Sequence, residues 1–240
     1  MLMTKYQLKL AHIAKKKYPI CMPKNYIIAI DGPAASGKST VAQKLAKELN
    51  ITYLSSGSIY RTITKVCLEN KITAKNEKVK AILQNCNLSI KEAAVYVDDI
   101  DYTEFISLPM TEASVSKYSL LPSVRKKAME LLRDTAKNQS IVMDGRDIGS
   151  VVFPDAKHKI YLTATTTTRA RRRLNEFVKK NPSENLSLAE MIQEIIERDR
   201  MDRTRAISPL IQAKDAISID NSNLDIEQTI QKIYNHIDTV

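Results

Sequence analysis

The run Gly32-Pro33-Ala34-Ala35-Ser36-Gly37-Lys38-Ser39 constrains this chain more than any other segment. It matches the spacing G-x-x-x-x-G-K-[ST]. It also stands between a β-branched run, YIIAID, and a helical pattern, STVAQKLAKEL, which is the context the spacing requires. In such a strand–loop–helix the glycines let successive backbone N–H groups turn inward, and the helix N-terminus adds its positive dipole end. The loop becomes a cradle for phosphate oxygens. Residues 32–40, through Thr40, are therefore the expected ATP-binding segment. Lys38 is expected to bridge the β- and γ-phosphates, and the Ser39 hydroxyl to take a place on the Mg²⁺ that accompanies ATP.

The rest of the chain reads as α/β. Short β-branched runs at 26–31, 51–54, 140–144, 159–163 and 216–220 alternate with helical patterns at 39–49, 59–69, 169–179 and 225–237. This alternation predicts a five-stranded, doubly wound parallel sheet flanked by helices. A further helix starts at Ser187, with Glu190 in capping-box spacing. Its Leu188, Met191, Ile192, Ile195 and Ile196 share a face expected to pack on the core. Residues 71–138 break the alternation with helical patterns near 76–84, 111–120 and 123–137 and strand-like runs at 88–91 and 94–97. We read them as an inserted substrate-side subdomain between core segments 26–70 and 139–240.

Glycine is scarce. The chain has five in 240 residues, where usage of about 7% would place roughly seventeen. Two lie in the phosphate loop, one in Leu54-Ser55-Ser56-Gly57-Ser58-Ile59-Tyr60-Arg61, and two in Asp144-Gly145-Arg146-Asp147-Ile148-Gly149, directly after a predicted strand. A parallel sheet brings loops that follow its strands to one edge, where open α/β sheets bind ligands. An ordinary serine cap beside a surface arginine, or a turn with a surface ion pair, would look similar in isolation. Eight of the twelve arginines fall between Arg169 and Arg205, in two groups separated by the polar stretch KKNPSENLS. The pattern is that of a hinged flap, over about 165–205, that closes charge over a phosphate; a solvated helical face is the alternative.

The formal charge of +10 is unevenly spread. Residues 1–25 hold six lysines and no acid, and removing those six from the 37 bases leaves 31 against 27 acids. The first 25 residues read as a basic extension without the apolar core of a secretory signal, and Met22 is a candidate alternative start. The body has little excess charge for nucleic acid. With no Trp and three Phe it also offers few stacking platforms, so a nucleic-acid partner is not expected. No apolar stretch approaches the ~18 residues of a membrane span. Cys21, Cys67 and Cys86 form no C-x-x-C pair, so structural zinc is not expected and reduced cytoplasmic thiols are.

GPAASGKST, LSSGSIYR, DGRDIGSVVFPDA and ERDRMDRTRAISPL together resemble, in order and spacing, the bacterial cytidylate kinases of the nucleoside monophosphate kinase family, over about Tyr26 to Ile237. The resemblance implies a P-loop kinase fold with a core, an inserted substrate-binding subdomain and an arginine-rich lid. It also implies transfer of the γ-phosphoryl group of ATP to CMP or dCMP with Mg²⁺, by a cytoplasmic monomer. Carried onto this sequence, Ser56, Arg125 and Asp147, with Arg205, resemble the positions that read cytosine. Arg61 and Arg146 resemble those that grip the acceptor phosphate, and Arg198 and Asp202 those near the sugar. Ser114 is a further sugar-side candidate. Lys38 with the lid arginines Arg169 and Arg173 would neutralise charge on the transferred group. The sequence departs from the family where Ser55 replaces the usual acid, and in its basic head. The competing expectations are another P-loop small-molecule kinase, acting on UMP, AMP or a non-nucleotide acceptor, and a nucleotide-switched nucleic-acid-binding protein.

Overall fold

The computed structural model of the chain describes residues 25–182 and 184–237. The expected basic extension lies almost wholly outside the described residues, as do Met22 and Cys21. Five strands, β1 (Ile27–Asp31), β2 (Thr52–Ser55), β6 (Ile141–Gly145), β7 (His158–Thr163) and β8 (Ile217–Asp220), form one parallel sheet in the order β2-β6-β1-β7-β8. The central strands are apolar on both faces because helices cover both, as parallel sheets require.

On one face, α1 (Lys38–Leu49) and α8 (Ile226–Ile237) bury Val41, Leu45, Ile230 and Ile233 against Ile28, Ile30, Ile160 and Leu162. On the other, α2 (Ser56–Glu69) and α5 (Pro122–Ala136) bury Ile59, Ile63, Val124 and Leu132 against Leu54, Ile141 and Met143. The insertion extends this second layer. Val79 and Leu83 of α3 (Asn76–Asn85), and Leu88, Val95 and Val97 of the antiparallel strands β3 (Leu88–Lys91) and β4 (Ala94–Val97), join the same apolar cluster. A short third strand, β5 (Ile100–Asp101), not foreseen in the sequence, completes that small sheet. Helix α4 (Pro109–Tyr118) then lies along α2.

The helices of the expected lid are α6 (Thr166–Lys180) and α7 (Leu188–Thr204), the latter opened by the expected Ser187–Glu190 capping box. The apolar face of α7 does not pack on the main core. Met191 and Ile195 bury against Ala170 of α6, with Ala35 of the phosphate loop at the margin, while Ile196 is 46% exposed. Ile196 stands one residue, about 100°, beyond Ile195, and α6 is too narrow to cover that whole arc. The lid thus has a small core of its own, seated on the phosphate loop.

Register positions the site. Asp31 pairs with Gly145 on one side and Tyr161 on the other, and Ser55 pairs with Asp144. The C-terminal ends of β1, β2 and β6 are level, so the loops after them open at one edge.

Candidate active site

The phosphate loop leaves β1 at Gly32, where φ is 156° and a Cβ would lie 2.0 Å from the Leu162 carbonyl oxygen, so the turn accepts only glycine. Lys38, 5% exposed, donates to the Pro33 carbonyl at 2.8 Å. Burial first, and then the like charges of Arg146 and Arg198, hold its ammonium well below the usual lysine range. The Ser36 hydroxyl is buried with no hydrogen-bond partner among the described residues. Ser39 Oγ donates to Asp144 Oδ2 at 2.8 Å, and Tyr53 Oη donates to Asp144 Oδ1 at 2.8 Å. A hydroxyl and a carboxylate thus meet at the mouth of the phosphate loop, the hard oxygen set that suits Mg²⁺.

Asp31 holds the loop after β6. Its two carboxylate oxygens accept from the Ile148 and Gly149 amides at 2.8 and 2.7 Å. The chain beyond winds into one wide helical turn, with the Val151 and Val152 amides both donating to the Asp147 carbonyl. Asp147, 4% exposed, accepts from Arg125 Nη2 at 2.6 Å and from Arg205 Nη2 at 3.4 Å. Arg125 also donates to the Ser119 carbonyl at 3.1 Å and lies over the Tyr60 ring, 5.3 Å from its centroid. Burial and then the Asp147 charge push the Tyr60 hydroxyl up to about 12. Ser56 Oγ donates to the Asp144 carbonyl at 2.9 Å and sits 2.6 Å from where a Cβ on Gly145 would stand. A Cβ there would also meet Ile148 Cγ1 at 2.7 Å, so close approach is what requires glycine at 145.

Arg146 Nε donates to Asp202 Oδ2 at 2.8 Å, and Arg205 Nη1 lies 3.5 Å from Asp202 Oδ1. Arg61 and Arg198, by contrast, make no hydrogen bond or ion pair among the described residues. Burial and then Arg146 bring Arg198 down to about 10. Burial lowers Arg61 as well, with Arg146 and Arg173 adding to the effect against Glu112 and Asp144. Half-buried guanidinium groups with no directly paired carboxylate among the described residues, beside a buried ammonium, are stabilised when an anion arrives. The edge of the sheet therefore has the charge to receive a polyanion.

A family model described as cytidylate kinase matches residues 28–239. The chain belongs to the cytidylate kinase family. It is 42% identical over 214 residues to a cytidylate kinase of Clostridium botulinum (strain Langeland), covering 89% of this chain and 98% of that one. It is 42% identical over 217 residues to a cytidylate kinase of Fusobacterium nucleatum, covering 90% and 99%. Among solved structures, a shikimate kinase from Bacteroides thetaiotaomicron gives a TM-score of 0.46 at 13% identity, over 89% of this chain and 98% of that one.

Within this cytidylate kinase framework, the structure brings Lys38, Ser39, Ser56, Arg61, Arg125, Arg146, Asp147, Arg198, Asp202 and Arg205 to one edge. Three lid arginines diverge. Arg169, 5% exposed, pairs with Asp199 at 2.7 Å and donates to the Ala34 and Ala164 carbonyls at 2.9 and 3.0 Å. Arg172 donates to both the side-chain and main-chain oxygens of Asn221, whose amide in turn donates to the Ser36 carbonyl at 3.0 Å. Both brace the phosphate loop. Only Arg173 turns across the cleft, to Glu112 Oε2 at 2.5 Å. Ser114 is not brought to the group. On α4 it stands about 200° from Glu112, whereas Ser116 stands on nearly the same side as Glu112.

Sequence reasoning missed Asp31, Tyr53, Glu112, Asp144 as the Ser39 partner, Asp199 and Asn221. A signal existed for Asp31 and Asp144, each a carboxylate ending an apolar parallel strand. For Glu112 and Asp199, ordinary helical acids, there was none. Among the described residues no helix is long and apolar enough to cross a membrane, and no group of His, Cys, Asp and Glu forms a metal cluster.

Proposed function

We propose that this member of the cytidylate kinase family transfers the γ-phosphoryl group of ATP to CMP and dCMP, giving CDP and dCDP. The observation that carries the proposal is the buried carboxylate Asp147 between Arg125 and Arg205, beside unpaired Arg61 and Arg198. Cytosine presents an exocyclic amine that a carboxylate accepts from, and its N3 and O2 accept from arginine. Uracil places an acceptor where that amine stands, so Asp147 would face an oxygen and reject it. Ser56 lies against the same loop. Arg61, Arg146 and Arg198 surround the acceptor phosphate, and Asp202, held by Arg146, takes a ribose hydroxyl.

The transfer needs no side-chain nucleophile, because the acceptor phosphate oxygen is already anionic. The protein's work is to align two polyanions in line and to spread the developing charge. Residues 32–40 cradle the donor phosphates. Lys38, depressed by burial and by neighbouring cations, gains most from an arriving polyphosphate. Ser39 and Asp144 would hold Mg²⁺, which when bound screens the donor phosphates. Arg173 is the lid arginine with access to the transferred group, and Arg169 acts through the loop backbone it holds. The insertion 71–138 supplies Arg125 to the acceptor side. We place the enzyme in the cytoplasm as a monomer; free Cys67 and Cys86 suit a reducing compartment. Acceptor-dependent ADP release in the presence of ATP and Mg²⁺ tests the reading.

A further inference from the structure

Among the described residues, one ion pair crosses the cleft between the lid and the insertion. Arg173 Nη2, on α6, donates to Glu112 Oε2, on α4, at 2.5 Å, although the two residues are 61 positions apart in sequence. Both side chains are partly exposed, Arg173 at 32% and Glu112 at 24%, so the pair sits at the cleft mouth and neither partner is locked into a core. Glu112 also faces Arg61, which has no hydrogen bond or ion pair of its own among the described residues. Arg61 and Arg198 in turn feel Arg173. Glu112, like Asp202 beside Arg146, therefore lies among the cations that, on the function proposed above, receive the acceptor phosphate.

We propose that Glu112 is a positioning residue that holds Arg173 away from the transferred phosphoryl group until an acceptor phosphate enters. The acceptor dianion and Glu112 compete for the same cations and repel each other. Entry of the dianion beside Arg61 therefore weakens the grip of Glu112 on Arg173, and the released guanidinium can swing toward the donor phosphates. Before entry, Arg173 stays paired, and water near the donor lacks the cation that would assist its attack. Glu112 thus links acceptor occupancy to completion of the charge around the transferred group, which is how a kinase limits loss of ATP to water.

This inference rests on the proposed function, and one set of assays separates the two. The wild-type chain, Glu112→Gln and Glu112→Asp are compared for CMP-dependent ADP release, KM for CMP, and ADP release with ATP and Mg²⁺ but no acceptor. Absence of CMP-dependent turnover in the wild type would defeat the functional reading itself. Given that turnover, Glu112→Gln should lower KM for CMP about three- to tenfold, by removing one repelling charge from a partly screened site. It should also raise acceptor-free ADP release at least threefold, while Glu112→Asp stays near wild type in both. A raised KM, as expected if Glu112 only tethers the lid, overturns the proposal. So does a lowered KM with acceptor-free release unchanged, or no change in either quantity.

Discussion

Arg169 and Asp199 close a ring around one phosphate-loop residue. Asp199 accepts from the Ala34 amide at 3.1 Å with one oxygen and from Arg169 at 2.7 Å with the other, and Arg169 donates back to the Ala34 carbonyl at 2.9 Å. The lid is thereby bonded to the donor site through two helices. Asp199→Ala leaves a buried guanidinium without its counterion, a loss of about 3 kcal/mol or more, and frees the loop. Thermal unfolding should show the destabilisation, and KM for ATP should rise about tenfold. An unchanged KM for ATP would mean that the brace has no part in donor binding.

Asp144 is bonded to both Ser39 and Tyr53. Asp144→Asn keeps the shape but loses the anionic oxygen, so the Mg²⁺ concentration giving half-maximal rate should rise at least about tenfold. The fold should persist, because the strand around it is untouched. A Mg²⁺ titration identical to wild type would remove Asp144 from the metal site.

On the proposed function, base choice rests on Asp147. Asp147→Asn retains a hydrogen-bonding side chain between Arg125 and Arg205 while adding a donor that uracil O4 can accept. The ratio of kcat/KM for CMP over UMP should fall about a hundredfold or more, on the scale by which unpaired buried polar groups discriminate. A preserved ratio would place base reading elsewhere.

Asp31 gives a pH signature. Burial, opposed by the Gly149 and Ile148 amides, pushes its carboxyl up to about 6, against an ordinary value of about 3.9. A raised folded value means that its contribution to stability is full below about pH 4 and is lost as pH rises through about 6. The stability advantage of wild type over Asp31→Asn should therefore be largest near pH 4 and shrink, by on the order of 3 kcal/mol, towards pH 7. Thermal or urea unfolding across that range checks it; a gap that is constant or widens contradicts the assignment.

The sheet and its loops were legible because the chemistry of parallel strands is local. Short apolar runs such as 27–30 and 141–143, each leading into a glycine-bearing loop, leave few other arrangements, and their level C-terminal ends put the loops that carry Lys38, Ser56 and Asp147 at one edge. The lid was less legible. Arg169, Arg172 and Arg173 are adjacent on one helical face, yet two serve the loop beneath and one the cleft beside it. Helical spacing states which side chains are neighbours and not which carboxylate they meet. Asp199 lies 165 positions from Ala34, and Glu112 lies 61 from Arg173; such pairings are set by tertiary packing. Ser114 shows the same limit, since the phase of a short helix with a mixed face cannot be read from composition alone.

Phosphoryl transfer to a cytosine mononucleotide is what the arrangement around Asp147 and Lys38 is proposed to perform. The most direct test is ADP release by the purified chain with ATP and Mg²⁺ and each of CMP, dCMP, UMP and AMP in turn. Rapid release is expected with CMP and dCMP, and rates at least about a hundredfold lower with UMP and AMP. Equal or faster release with UMP or AMP, or no acceptor dependence at all, would contradict it.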